Sequence, residues 1–317
     1  MEWRWIGLFA ALAAPVAATA AEDTFAAGAC SEAYDALPQG TVLDLLDPNV
    51  PTERRTSALE AYERLATLEG CPEFGYTLGQ LYRHGPDLPG NLVPQDLPKA
   101  RGLIRTMAED GYLPAYADLA EMEMRHANAR EAMKWTQVYL YFTRTVLQDY
   151  LSGADDMQFQ RSAYNGNLLA RVEIIWKWPR PRLPRKLVRE DVEAYLATHE
   201  TAVAQRMRER EEGMHRRASA QDIGLVRVAN DPGPCYVKLD RIGAASAAWI
   251  VEVLPSGETG RVVLENFVPN AQVTEEMKAC LLQRRFAAFQ GDRAATARFH
   301  IVAGSIEGAS LRRLRSR

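Results

Sequence analysis

The sequence predicts an α-helical array followed by a small α+β domain, and three observations carry that expectation. Apolar residues recur at helical spacing: Leu78, Leu81 and Tyr82, then Ala100, Leu103, Ile104, Met107 and Ala108, then Tyr116, Leu119 and Ala120. The pattern repeats, because Lys99-Ala100 and Glu131-Ala132 open similar helical runs 32 residues apart, and a period in the thirties marks stacked helical hairpins. After Ile223 the periodicity falls to two and valine becomes frequent, which is the signature of strands. The expected divisions are 1–20 for a leader, 21–217 for the helical-repeat domain and 218–317 for the α+β domain.

The first twenty residues read as a secretory signal. Arg4 precedes the apolar run Trp5 to Ala14, and Ala18-Thr19-Ala20 offers a small-residue cleavage site. The run is shorter than the roughly 20 residues needed to span a bilayer. The exported chain is therefore expected in the periplasm, without a transmembrane span. An uncleaved anchor is the rival reading. The apolar fraction of 47% is ample for packed cores, and the net charge of -3 argues against a nucleic-acid partner.

Asp47-Pro48-Asn49 signals a turn, and Thr52 is placed to cap the next helix. Ser57 to Leu68 is that helix, with Ala58, Ala61, Tyr62 and Leu65 on one face and Gly70 and Pro72 ending it. The hairpin pattern then runs from Cys71 to Trp135, punctuated by Gly85, Gly111 and Pro114. Asn128 to Leu151 is expected as one long helix whose Trp135, Tyr139, Phe142 and Val146 line the core. Asp155 to Trp178 is a further candidate helix, and Pro179 to Lys186 is a basic, proline-rich connector. Glu190 to Arg217 is highly charged, with a thin apolar face of Val192, Tyr195, Leu196, Val203 and Met207. It is expected to bridge domains through solvent.

Strands are expected around Leu225 to Val228, Tyr236 to Leu239, Ala248 to Val253 and Arg261 to Leu264, with Ser256-Gly257 and Gly260 in a turn. Val273 to Leu282 reads as a helix with Met277, Cys280 and Leu281 inward, and Arg298 to Val302 as the last strand. These elements form a small α+β unit with a sheet edge.

Two family resemblances rest on these residues. Leu81-Tyr82, Gly85, Asp96, Lys99-Ala100, Ala108 and Gly111, with Ala115 starting a new unit and Ala132 to Trp135 repeating the step, resemble the Sel-one-type repeat of the tetratricopeptide superfamily. The turn from Pro86 to Pro94 is longer than that family's usual loop. The resemblance implies protein-protein contact rather than catalysis. Trp249 to Val253, Gly257 and Gly260, Val262-Val263, Ala279-Cys280-Leu281, Arg285-Phe286 and Phe299 to Val302 resemble the TonB C-terminal domain superfamily, over about Pro232 to Ala303. That resemblance implies binding of extended peptides by strand addition at the sheet edge. The candidate edge is the last strand: Arg298, Phe299, His300, Ile301 and Val302. A long proline-rich span, as in a true energy transducer, is missing from the sequence.

The four cysteines are Cys30, Cys71, Cys235 and Cys280. An even number in an exported chain favours disulfides, and three pairings are open. Joining sequence neighbours, Cys30 with Cys71 and Cys235 with Cys280, keeps each bridge within one domain. No Cys-x-x-Cys pair suggests zinc. The histidines, His84, His126, His199, His215 and His300, are scattered, and neither a nucleophile elbow nor a phosphate-binding glycine loop occurs. No cofactor is expected. The leading expectation is a non-enzymatic periplasmic adaptor whose repeats dock one envelope protein and whose sheet edge takes another. The alternatives are an anchored accessory of TonB-type energy transduction, marked by an intact N-terminus, and an enzyme marked by ionisable residues buried in one cleft.

Overall fold

A computed structural model describes residues 30, 32–33, 36–68, 70–145, 184–219, 228–230, 244–268 and 274–304. The first helices whose bounds are described are α1 (Thr41–Leu46) and α2 (Thr52–Leu65). The second begins five residues before the expected Ser57. Pro51 stands at its N-cap, and the Thr52 side chain is inside the helix, not a cap. Proline's fixed φ suits the entry to a helix.

Next is α3 (Pro72–His84), the helix on which the molecule is centred. Every residue from Phe74 to His84 is buried. A helix that shows an apolar stripe in sequence is therefore enclosed on all sides. α4 (Leu97–Glu109) crosses it so closely at Gly79 that a Cβ there would lie 2.8 Å from Ile104 Cγ1. The long turn between them is itself packed. Leu88 and Val93 are buried, and Asn91 Nδ2 donates to the Leu81 and Gly85 carbonyls at 2.7 and 2.8 Å. Asp96 caps α4 by accepting from the Lys99 amide at 3.0 Å.

α5 (Leu113–Arg125) and α6 (Ala129–Thr145) make the second tightly packed pair. Lys99-Ala100 and Glu131-Ala132 occupy the same positions, the third and fourth, of α4 and α6. Ala100 and Ala132 are both fully buried. Trp135, Tyr139 and Phe142 are in the core, as expected. Val146, the candidate helix Asp155 to Trp178 and the basic connector up to Leu183 lie outside the described residues.

α7 (Arg185–Ser219) does not cross solvent. It lies along α6 and α4, with Tyr195, Val203 and Met207 buried and the Tyr195 ring edge-on to Trp135 at 5.2 Å. Arg210 holds it to Glu73 at 3.0 Å and to Asp110. A thin apolar stripe suffices here because those charges pair along its flanks. Among the described residues no helix is long and apolar enough to cross a membrane.

The rest is a small α+β unit. β1 (Val228–Asn230) is followed by β2 (Ala244–Val253), β3 (Thr259–Val268), α8 (Thr274–Leu282), β4 (Arg285–Phe286) and β5 (Ala295–Gly304). The main sheet is antiparallel in the order β3-β2-β5, and β1 pairs with β4. The expected strand at Tyr236 to Leu239 lies outside the described residues. Met277 and Leu281 of α8 are buried in the core, whereas the side chain of Cys280 is outside the described residues. Gly257, at φ +83°, closes the hairpin between β2 and β3, where the Phe286 carbonyl would lie 2.1 Å from any Cβ.

The two ladders of β2 differ. With β5 it pairs over its whole length in a single unshifted register, Ala244 with Gly304 through Val253 with Ala295. With β3 the register slips: Ala248 pairs with Asn266 and Trp249 with Leu264. Glu265 is the extra residue of a β-bulge. A bulge re-aims side chains, and here it turns two successive residues, Glu265 and Asn266, toward α3.

Candidate functional site

Cys30 and Cys71 form a disulfide with Cα atoms 5.4 Å apart, one of the two bridges expected. Cys235, like the side chain of Cys280, lies outside the described residues. The five residues expected as an edge strand all fall on β5, which starts three residues earlier and ends two later than expected. Arg298 pairs with Ile250, Phe299 with Trp249, His300 with Ala248, Ile301 with Ala247 and Val302 with Ser246. Among the described residues β5 is an outer strand of its sheet. The side chains of His300, Ile301 and Val302 are outside the described residues. Phe299 is partly buried against Phe286, with ring centroids 5.5 Å apart.

Arg298 points inward, behind the edge. Its guanidinium donates to Glu265 Oε2 at 2.5 Å and Oε1 at 2.8 Å and reaches Thr77 Oγ1 of α3 at 3.4 Å. It lies 4.9 Å from the Tyr76 ring centroid and 5.9 Å from that of Tyr112. Thr77 also donates to Glu265 at 2.8 Å. Burial pushes the Tyr112 hydroxyl up to about 12, so it stays protonated beside the guanidinium.

A second polar cluster continues from this pair into the array. Asp118 of α5 accepts from Tyr76 Oη at 2.6 Å, Gln80 Nε2 at 3.1 Å, Arg83 Nη1 at 3.2 Å and Asn266 Nδ2 at 2.9 Å. Arg83 also reaches Glu121 at 3.0 Å. His84 Nε2 is 2.7 Å from Asn266 Oδ1, and its ring stacks on Phe267 with centroids 4.2 Å apart. Gln80, Arg83, His84, Asp118, Glu121, Glu265 and Asn266 are all buried. The helical array and the sheet therefore meet across a polar seam built from α3, α5, β3 and β5.

Of the residues in this region, only Arg298 is singled out by the sequence as a site residue. The other members sit in segments that read as helix packing or generic strand. The available signal is that α3 carries Thr77, Gln80, Arg83 and His84 between its apolar residues, with Gln80, Arg83 and His84 at the spacing of helical neighbours. Asp118 and Glu121 have matching spacing on α5. Among the described residues no group of three His, Cys, Asp or Glu is arranged to hold a metal.

No protein-family model, curated protein or solved structure matches the chain.

Proposed function

We propose that this chain is a non-enzymatic interaction protein of the cell envelope, exported to the periplasm. In this reading its helical hairpins are Sel-one-like and dock one protein partner. Its sheet is TonB C-terminal-like and takes an extended segment of another along β5. One observation carries the reading. Among the described residues β5 is a ten-residue outer strand with an unshifted ladder to β2, and its one charged residue, Arg298, is turned inward onto Glu265. Sheet edges are commonly closed to newcomers by lysine, proline, a bulge or an inward-pointing charge; β5 has no lysine, proline or bulge, and its inward charge is already paired with Glu265. Strand addition draws its affinity from main-chain hydrogen bonds, so such an edge needs no special outward side chain.

An enzyme would be the rival use of the buried ionisable groups. Those groups pair with one another across the seam, which supports a structural role for them. The test is photocrosslinking in intact cells, with a photoreactive residue at Ala297 of β5 and, as a control, at the exposed Leu187. An envelope protein captured from Ala297 alone supports the reading. Equal capture from both positions, or none from Ala297, sinks it. The whole chain is preferable to a truncated one, because removing the sheet would uncover Asp118 and His84.

A further inference from the structure

Asp118 and His84 are linked through one amide. Asn266 Nδ2 donates to Asp118 Oδ1, so Asn266 Oδ1 is the acceptor that faces His84 Nε2. His84 Nε2 must then carry the proton, which leaves Nδ1 as the bare nitrogen. Nδ1 is buried without a hydrogen-bond partner. The charged groups around His84 are Arg83, its helical neighbour, and Arg125 of α5. Around Asp118 they are Arg83 and Glu121, while Glu265 and Arg298 pair with each other on the far side of Tyr76. Within the seam the carboxylates Asp118, Glu121 and Glu265 pair with the guanidiniums of Arg83 and Arg298.

We propose that Asp118 and His84, joined through Asn266, act as a compensating proton pair that keeps the seam between array and sheet equally firm through mild acid. Opening the seam exposes His84 and takes Asn266 from Asp118, and full unfolding returns both groups to water. Burial, reinforced by Arg83 and Arg125, holds closed His84 well below its ordinary 6.5. As pH falls through about 6.5, an opened His84 therefore gains a proton that the closed one refuses, and this favours opening. Burial acts on Asp118 in the other sense and raises it to about 6 despite Arg83. The closed carboxyl thus takes a proton that an opened one accepts only near its ordinary 3.8, and this favours closure. Below about pH 6 the closed state carries its proton on Asp118 and the opened state carries its proton on His84, so the two effects oppose each other. The Tyr76 hydroxyl can turn to accept from protonated Asp118.

Urea unfolding of the full chain tests this, read as the difference between each variant and the unmodified chain. Relative to that chain, His84→Gln should become more stable as pH falls from about 6 to about 4, by up to tenfold in the unfolding equilibrium per pH unit. Asp118→Asn should become less stable over the same range by a similar factor. A His84→Gln profile parallel to the unmodified one overturns the proposal. Should Asp118→Asn fail to fold, the ¹⁵N spectrum of His84 in the unmodified chain decides. A neutral Nε2–H imidazole persisting at about pH 5 supports the pair, and an imidazolium signal there overturns it.

Discussion

Glu265 and Arg298 meet across the width of the sheet, from β3 to β5 over the intervening β2, through hydrogen bonds of 2.5 and 2.8 Å. The carboxylate is fully buried and the guanidinium side chain 21% exposed. Glu265→Ala would leave a largely desolvated cation facing Tyr76 and Tyr112. Breaking a buried pair from one side costs about 3–5 kcal/mol, and the partial exposure of Arg298 puts the expected loss near the lower figure. The double variant Glu265→Ala/Arg298→Met should recover part of that loss. Denaturant midpoints of the two single variants and the double variant check it; additive losses would contradict it.

The Cys30–Cys71 bridge closes a loop of 41 residues and fixes the N-terminal segment to the start of α3. In the chain-entropy picture a loop of that size stabilises by about 4 kcal/mol. Replacing both cysteines with serine should lower Tm by about 10 °C. Calorimetry with and without reductant checks this, and an unchanged Tm would show that the segment is held by packing alone.

At Gly79 α4 packs against α3 with no room for a side chain. Gly79→Val would drive methyl groups into Ile104, whose Cγ1 stands only 2.8 Å from the place a Cβ would take. Overpacking of this kind costs about 1–3 kcal/mol. Gly102, with nothing within 4 Å, is the control: Gly102→Ala should be neutral or slightly stabilising, since alanine is the better helix former. Thermal melts of the two variants should therefore shift in different directions or by clearly different amounts.

The helices are legible in the sequence where one face is apolar. Leu78, Leu81, Ile104, Met107 and Leu119 give their helices away by spacing, and the 32-residue interval between Lys99 and Glu131 survives as equivalent positions in α4 and α6. Met277 and Leu281 likewise point inward as their pattern requires. The role of α7 is hidden because its apolar stripe is narrow. Its charges look solvent-bound, whereas Arg210 reaches Glu73 and Asp110, and Arg130 of α6 reaches Asp191. The seam is the least legible part. Arg83, His84, Asp118 and Glu265 are polar residues that ordinarily mark a surface, and only partners distant in sequence, such as Thr77 with Glu265 or His84 with Asn266, bring them inside.

The bulge at Glu265 also sets where the chain tolerates a change in length. Loss of that one codon would remove the register shift between Ala248 and Trp249 and the carboxylate that anchors Arg298. A single added residue in the same strand would swing Asn266 away from Asp118 and His84. The turn from Pro86 to Pro94 is held to its length in another way, by the burial of Leu88 and Val93 and the bonds of Asn91 to the Leu81 and Gly85 carbonyls. An insertion or deletion is therefore disfavoured in both places, in the strand by lost register and in the turn by lost packing.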